Sequence, residues 1–137
     1  MKRLLLLFLL FLTLLLQGCL TRENINVTEV KQFKTDIKRE YKEIKSIEVS
    51  HVPTEIQYNY KLTKNLSEDK YSVILKKTIE LDNILKKIDE YSKQDFSISF
   101  RFDNKYIEFV PSKDNPNTWI MVDDKLNEIT TITLDIN

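Results

Sequence analysis

The sequence predicts an α+β domain. It expects an antiparallel sheet of about six strands, with one main helix packed on one face and an N-terminal amphipathic helix, in the order α-β-β-α-β-β-β-β. Three observations point to it. Segments 27–45 and 68–92 repeat apolar residues every three or four positions, the period of a helix with one buried face. Several short runs alternate apolar and polar residues, the period of a half-buried strand. One pair of such runs, 96–110, carries its own turn signal at Asp103-Asn104. Neither an internal repeat nor a second linker interrupts the pattern, so residues 26–137 read as one domain of two layers.

The chain opens with Met1, Lys2 and Arg3, followed by an apolar run from Leu4 to Leu16. Two cations ahead of an unbroken apolar stretch form the first two parts of a secretory signal. Thirteen residues reach only about 20 Å as a helix, against a hydrocarbon core of about 30 Å. The run ends in Leu16-Gln17-Gly18-Cys19, which holds the only glycine and the only cysteine of the chain. These residues resemble the lipobox of bacterial lipoproteins, with Leu16 at −3, Gly18 at −1 and Cys19 as the first mature residue. The resemblance covers residues 1 to about 20. It implies a diacylglycerol on the Cys19 thiol and cleavage between Gly18 and Cys19, followed by acylation of the new amino group. Two acyl chains anchor stably where one is marginal. The expected address is therefore the extracytoplasmic side of a cell membrane or outer membrane, with the covalent lipid as the sole added group and no other cofactor. Leu20 is not the aspartate that can retain lipoproteins in the inner membrane of Gram-negative cells.

Loss of residues 1–18 leaves 119 of 137, enough for one small domain. Lys2 and Arg3 go with the leader, leaving 19 of the 21 basic residues against 21 acidic ones. Such balance argues against a dedicated nucleic-acid binder. Beyond Cys19 there is no thiol for a disulfide, so packing must supply the stability. Beyond Gly18 there is no glycine, which excludes a P-loop, a G-x-G-x-x-G turn and a G-x-S-x-G elbow. Positions of positive φ are expected at Asn or Asp.

Taken in order, residues 19–25 read as a lipidated tether of at most about 25 Å. In segment 27–45, Asn26 and Glu29 have capping-box spacing. Val30, Phe33, Ile37, Tyr41 and Ile44 form its apolar stripe. Lys31, Lys34, Lys38, Lys42 and Lys45 line one flank of that stripe and acids line the other. The lysine flank, so close to the tether, is a candidate membrane-facing surface, since each lysine near an anionic bilayer contributes about 1 kcal/mol. An ordinary solvated flank is the alternative. Strands are expected at 47–52, ending at Pro53, and at 56–62, with Ile56, Tyr58, Tyr60 and Leu62 on one face. Ser67 caps the second helix, with Glu68 and Asp69 at its positive end. Its stripe runs Ile74, Thr78, Leu81, Leu85 and Ile88, widened by Leu75, Ile79 and Ile84.

A two-residue type I′ turn at Asp103-Asn104 pairs Phe102 with Lys105, Phe100 with Ile107 and Ile98 with Phe109. On the opposite face Ser99 meets Glu108 and Arg101 meets Tyr106. Residues 118–122 and 128–136 suggest a last hairpin.

Sites are sparse. His51 is the only histidine; a catalytic role needs a nucleophile and an orienting acid beside it, and a strand-end position near solvent is the plain alternative. Asp114, Asp123 and Asp124 fit a solvated turn better than a calcium loop. No metal site and no catalytic residue is assigned. Trp119, Tyr58 and Tyr60 serve either as partner anchors or as core. Gln57, Asn59, Ser97, Ser99, Arg101 and Glu108 make a candidate binding face on the open side of the sheet. Three functions follow. The favoured one is a membrane-anchored, non-enzymatic module that binds an envelope protein or a small ligand. The second is an envelope hydrolase using His51 or a carboxylate pair. The third is a membrane-tethered inhibitor or immunity-type protein.

Overall fold

The computed structural model describes residues 21–135. The leader, the Gly18-Cys19 cleavage point and the lipidation residue lie outside that range. Seven strands form one sheet: β1 Glu23–Asn24, β2 Ile44–Val52, β3 Glu55–Leu62, β4 Asp95–Phe102, β5 Lys105–Pro111, β6 Thr118–Asp123 and β7 Glu128–Thr133. Helix α1 spans Thr28–Glu40 and α2 spans Glu68–Leu85, and a 3₁₀ turn covers Asp89–Tyr91. The strands stand in space in the order of the chain, β1 to β7.

The α+β class and the order of the main elements are as expected, but the sheet differs in two ways. It has seven strands rather than six, because Glu23 and Asn24 pair with His51 and Ser50 along the edge of β2. The expected tether is therefore partly folded: Ile25 is buried, and its N–H donates to the carbonyl of Val49. The sheet is also mixed, since β3 and β4 run parallel, with Tyr58 opposite Ile98 and Tyr60 opposite Phe100. A strand that follows a crossover helix returns in the direction of the strand before it. Here α2 is that crossover.

The β4–β5 hairpin keeps the expected register at all five pairs. Its turn departs from type I′, which needs positive φ at both central residues; Asp103 has φ 51 and Asn104 is not in the left-handed region.

Helix α1 is shorter than its apolar period suggests. Val27 stands at its N-cap with no side-chain hydrogen bond, so Asn26 does not cap it. Tyr41 is already extended and Ile44 begins β2. Both still reach the core, and the apolar stripe therefore continues across a change of backbone. Ser67 does cap α2, accepting from the Lys70 N–H. That helix stops at Leu85 instead of 92. The N–H groups of Lys87 and Ile88 turn to the carbonyls of Ile84 and Leu85, three residues back, which tightens the last turn.

The core lies between α2 and one face of the sheet. Ile56, Tyr58 and Tyr60 of β3 and Ile98 and Phe100 of β4 point into it, against Tyr71, Ile74, Leu75 and Leu85 of α2. Phe100 stacks on Tyr60 at 4.6 Å and meets Tyr71 edge-on at 5.0 Å. Trp119 packs on Phe96 at 5.3 Å. Trp119, Tyr58 and Tyr60 are thus core residues and not partner anchors. Their burial is feasible because buried hydroxyls find partners. Tyr58 donates to Asp82 at 2.7 Å and Tyr60 bonds Thr78 at 2.6 Å. Asp82, itself buried, pairs with Lys86 at 2.7 Å. Ile84, expected in the stripe, is exposed. Helix α1 packs beside α2 and over β2, and Glu40 pairs with Lys77.

Candidate functional site

With both helices on one side, the other face of the sheet is left without a second layer. Period-two alternation fills it with the polar members of each strand. The register aligns them in rows. Glu48 of β2, Asn59 of β3, Ser99 of β4 and Glu108 of β5 stand side by side. One row over are Ser46, Lys61, Arg101 and Tyr106. Ser50, Gln57 and Ser97 make a third.

The central residues are short. Asn59, Ser97 and Ser99, with Gln57, lie low between longer side chains on β2 and β5 and make the floor of a trough of about 710 Å³. Its walls include Arg22, Glu48, Tyr106 and Glu108, and its ends include Glu55 and Lys61. All six residues of the expected binding face line this one trough: Gln57, Asn59, Ser97, Ser99, Arg101 and Glu108. The expected strand faces bring them together. Other residues join these six in the trough, among them Lys61, which shares the polar face of its strand with Gln57 and Asn59, and Glu55 and Arg22. Lys61 and Glu55 belong to it through the parallel pairing of β3 with β4. Arg22 belongs to it through the short β1.

The floor and walls are held by bonds among themselves. Ser99 donates to Asn59 Oδ1 at 2.6 Å. Gln57 Nε2 donates to Glu55 at 2.7 Å, and Ser97 donates to the same carboxylate oxygen at 3.4 Å. Arg22 donates to Ser50 Oγ at 2.9 Å and pairs with Glu48 at 3.4 Å. The Tyr106 hydroxyl donates to Glu108 at 3.3 Å, while the Arg101 guanidinium lies over its ring at 5.2 Å. Burial, with the Glu108 charge beside it, holds the Tyr106 hydroxyl above the ordinary tyrosine range. Such a surface can recognise a ligand through amide, hydroxyl and carboxylate groups in fixed places.

His51 lies at a different place, near the end of β2. Its Nε2 is 3.3 Å from Glu23 and 3.8 Å from Glu90, and its ring meets Tyr91 edge-on at 5.4 Å. Both carboxylates are largely exposed. Burial and the Glu90 carboxylate raise the Tyr91 hydroxyl. These contacts tie β1 and the 3₁₀ turn to the sheet.

The five lysines are not one helical flank. Lys31, Lys34 and Lys38 ride on α1, Lys42 follows it and Lys45 is in β2. Asp123 takes the N–H groups of Lys125 and Asn127 and the Asn127 side chain at 2.8–3.0 Å. It therefore organises its own turn. Among the described residues, no group of three or more His, Cys, Asp or Glu side chains is arranged to hold a metal ion. No helix among them is long and apolar enough to cross a membrane. Comparison with protein-family models, with curated proteins and with solved structures finds no match to this chain.

Proposed function

We propose that the protein is a lipid-anchored envelope module that binds a partner or ligand on the trough of its open sheet face, without chemistry. The observation that carries this reading is the trough itself. Half-buried polar side chains converge there on a concave surface, and their mutual bonds pre-set their orientation. Pre-set polar groups lose less entropy on binding than mobile ones. The lipobox-like leader supports the anchor. The short stretch between Cys19 and Arg22 keeps the domain near the bilayer.

The experiment is chemical crosslinking of the acylated protein in its own cells, followed by mass spectrometry, for the parent and for Ser97→Arg. Ser97 is half-buried on the trough floor, so the larger side chain fills the trough while the core stays intact. The expected result is one stoichiometric partner or adduct for the parent and its loss in the variant. Equal recovery from both would remove the trough from the reading. The inhibitor or immunity-type function is a narrower form of this one and passes or fails with it. The hydrolase reading rests on His51 between Glu23 and Glu90. Turnover of an envelope substrate that His51→Gln abolishes would favour it instead.

A further inference from the structure

We infer that the occupant of the trough is an extended segment of a partner polypeptide, and that a carboxylate side chain of that segment is held at the end formed by Lys61 and Arg101. This rests on the trough being the binding face.

Lys61 and Arg101 are register partners on the parallel strands β3 and β4. Like charges placed directly across two strands repel. The row they share offers no acid, since its outer members are Ser46 and Tyr106. Among the described residues neither cation makes an ion pair. The wall carboxylates are already engaged: Glu48 by Arg22, Glu55 by Gln57 and Ser97, and Glu108 by Tyr106. Asp103 stands at the lip, exposed on the hairpin turn. The two trough cations without a carboxylate partner, Lys61 and Arg101, are therefore gathered at one end, beside the exposed Asp103. A carboxylate there would sit between two cations, where charge-assisted bonds are strongest.

The shape selects a chain over a flat bilayer or a compact small molecule. From Glu55 to Lys61 is six strand steps, roughly 20 Å at 3.3 Å each. The floor lies below the walls, where a bilayer surface does not reach. Small-molecule sites are mostly apolar, and this floor is built of amides and hydroxyls. Such groups suit the alternating N–H and C=O of an extended backbone.

The test uses the full-length chain in its own cells, with the photocrosslinker p-benzoylphenylalanine in place of Gln57. A control carries it in place of Val73, exposed on α2. The captured segment is sequenced by mass spectrometry, in the parent and with K61E/R101E. Both cations are exposed, and K61Q/R101Q replaces the reversal if thermal unfolding shifts. The expected result is a polypeptide segment with Asp or Glu within a few residues of the crosslink. Its yield should fall about tenfold or more on charge reversal, as like-charge juxtaposition demands, and stay within about twofold for Lys61→Arg. A captured segment without acids, or an unchanged yield, overturns the inference and leaves the trough as a binding face. Lipid adducts alone, or no more capture than at position 73, remove the inference and the trough reading together.

Discussion

Leu126 holds φ 62 on an exposed turn, beside Asp103 at 51 and Asn117 at 60. A side chain with a Cβ costs roughly 1–2 kcal/mol in that region, and Asn bears it better than Leu. The turn imposes the angle. The Leu126 N–H donates to the Asp123 carbonyl, and the Asp123 N–H donates to that of Asn127. Leu126→Asn or Leu126→Gly is expected to stabilise the domain by about 0.5–1 kcal/mol, read as a shift in the urea midpoint at unchanged slope. A glycine-less sequence announces that Asn and Asp will take the positive-φ positions. Asp103 and Asn117 obey. Leu126 could not be foreseen, because the bonds of Asp123 that fix the loop are not written in residue 126.

At the level of elements, α2 is bound to the sheet by tyrosines as well as by aliphatic packing. Burial raises the hydroxyls of Tyr58, Tyr60 and Tyr71, and the Asp82 charge raises Tyr58 further. In the unfolded chain these groups ionise near the ordinary value of about 10. Folding therefore holds protons that the unfolded state releases, and the stability they contribute is whole below about pH 10 and falls as pH rises beyond it. Tyrosinate absorbance near 295 nm is expected to grow together with loss of far-ultraviolet circular dichroism, in one base-induced transition. Tyr60→Phe should make that limb shallower. Independent titration of all six tyrosines of the chain while the fold persists would contradict this. The β4–β5 hairpin is legible down to its register because the place of its two-residue turn and the alternation of its strands agree separately, although the turn itself is not type I′. The length of α1 was not legible. Tyr41 and Ile44 keep helical spacing and reach the core from an extended backbone, and period alone does not distinguish these. A two-residue β1 is too short to show any period.

For the whole molecule, the open face was readable and its neighbours only partly so. Alternation placed Gln57, Asn59, Ser97, Ser99, Arg101 and Glu108 on polar sides of their strands. That β3 would lie beside β4, bringing Lys61 next to Arg101, depended on the crossover of α2, which no local pattern encodes. The anchor reading leads to a direct expectation. The intact mass of the protein from its own cells should correspond to residues 19–137 plus a diacylglyceryl group and an amide-linked acyl chain. A retained leader or a free Cys19 thiol would refute it.

The spatial order of the strands carries one more consequence. Because the sheet runs β1 to β7 without permutation, no strand has to be threaded between two that formed earlier. A chain delivered amino end first can add each piece to a growing edge, so most of its pairings are local and close quickly. The exceptions are β1 with β2, which close across α1, and β3 with β4, which close across α2, so the floor of the trough cannot exist until the second of these helices has brought the chain back.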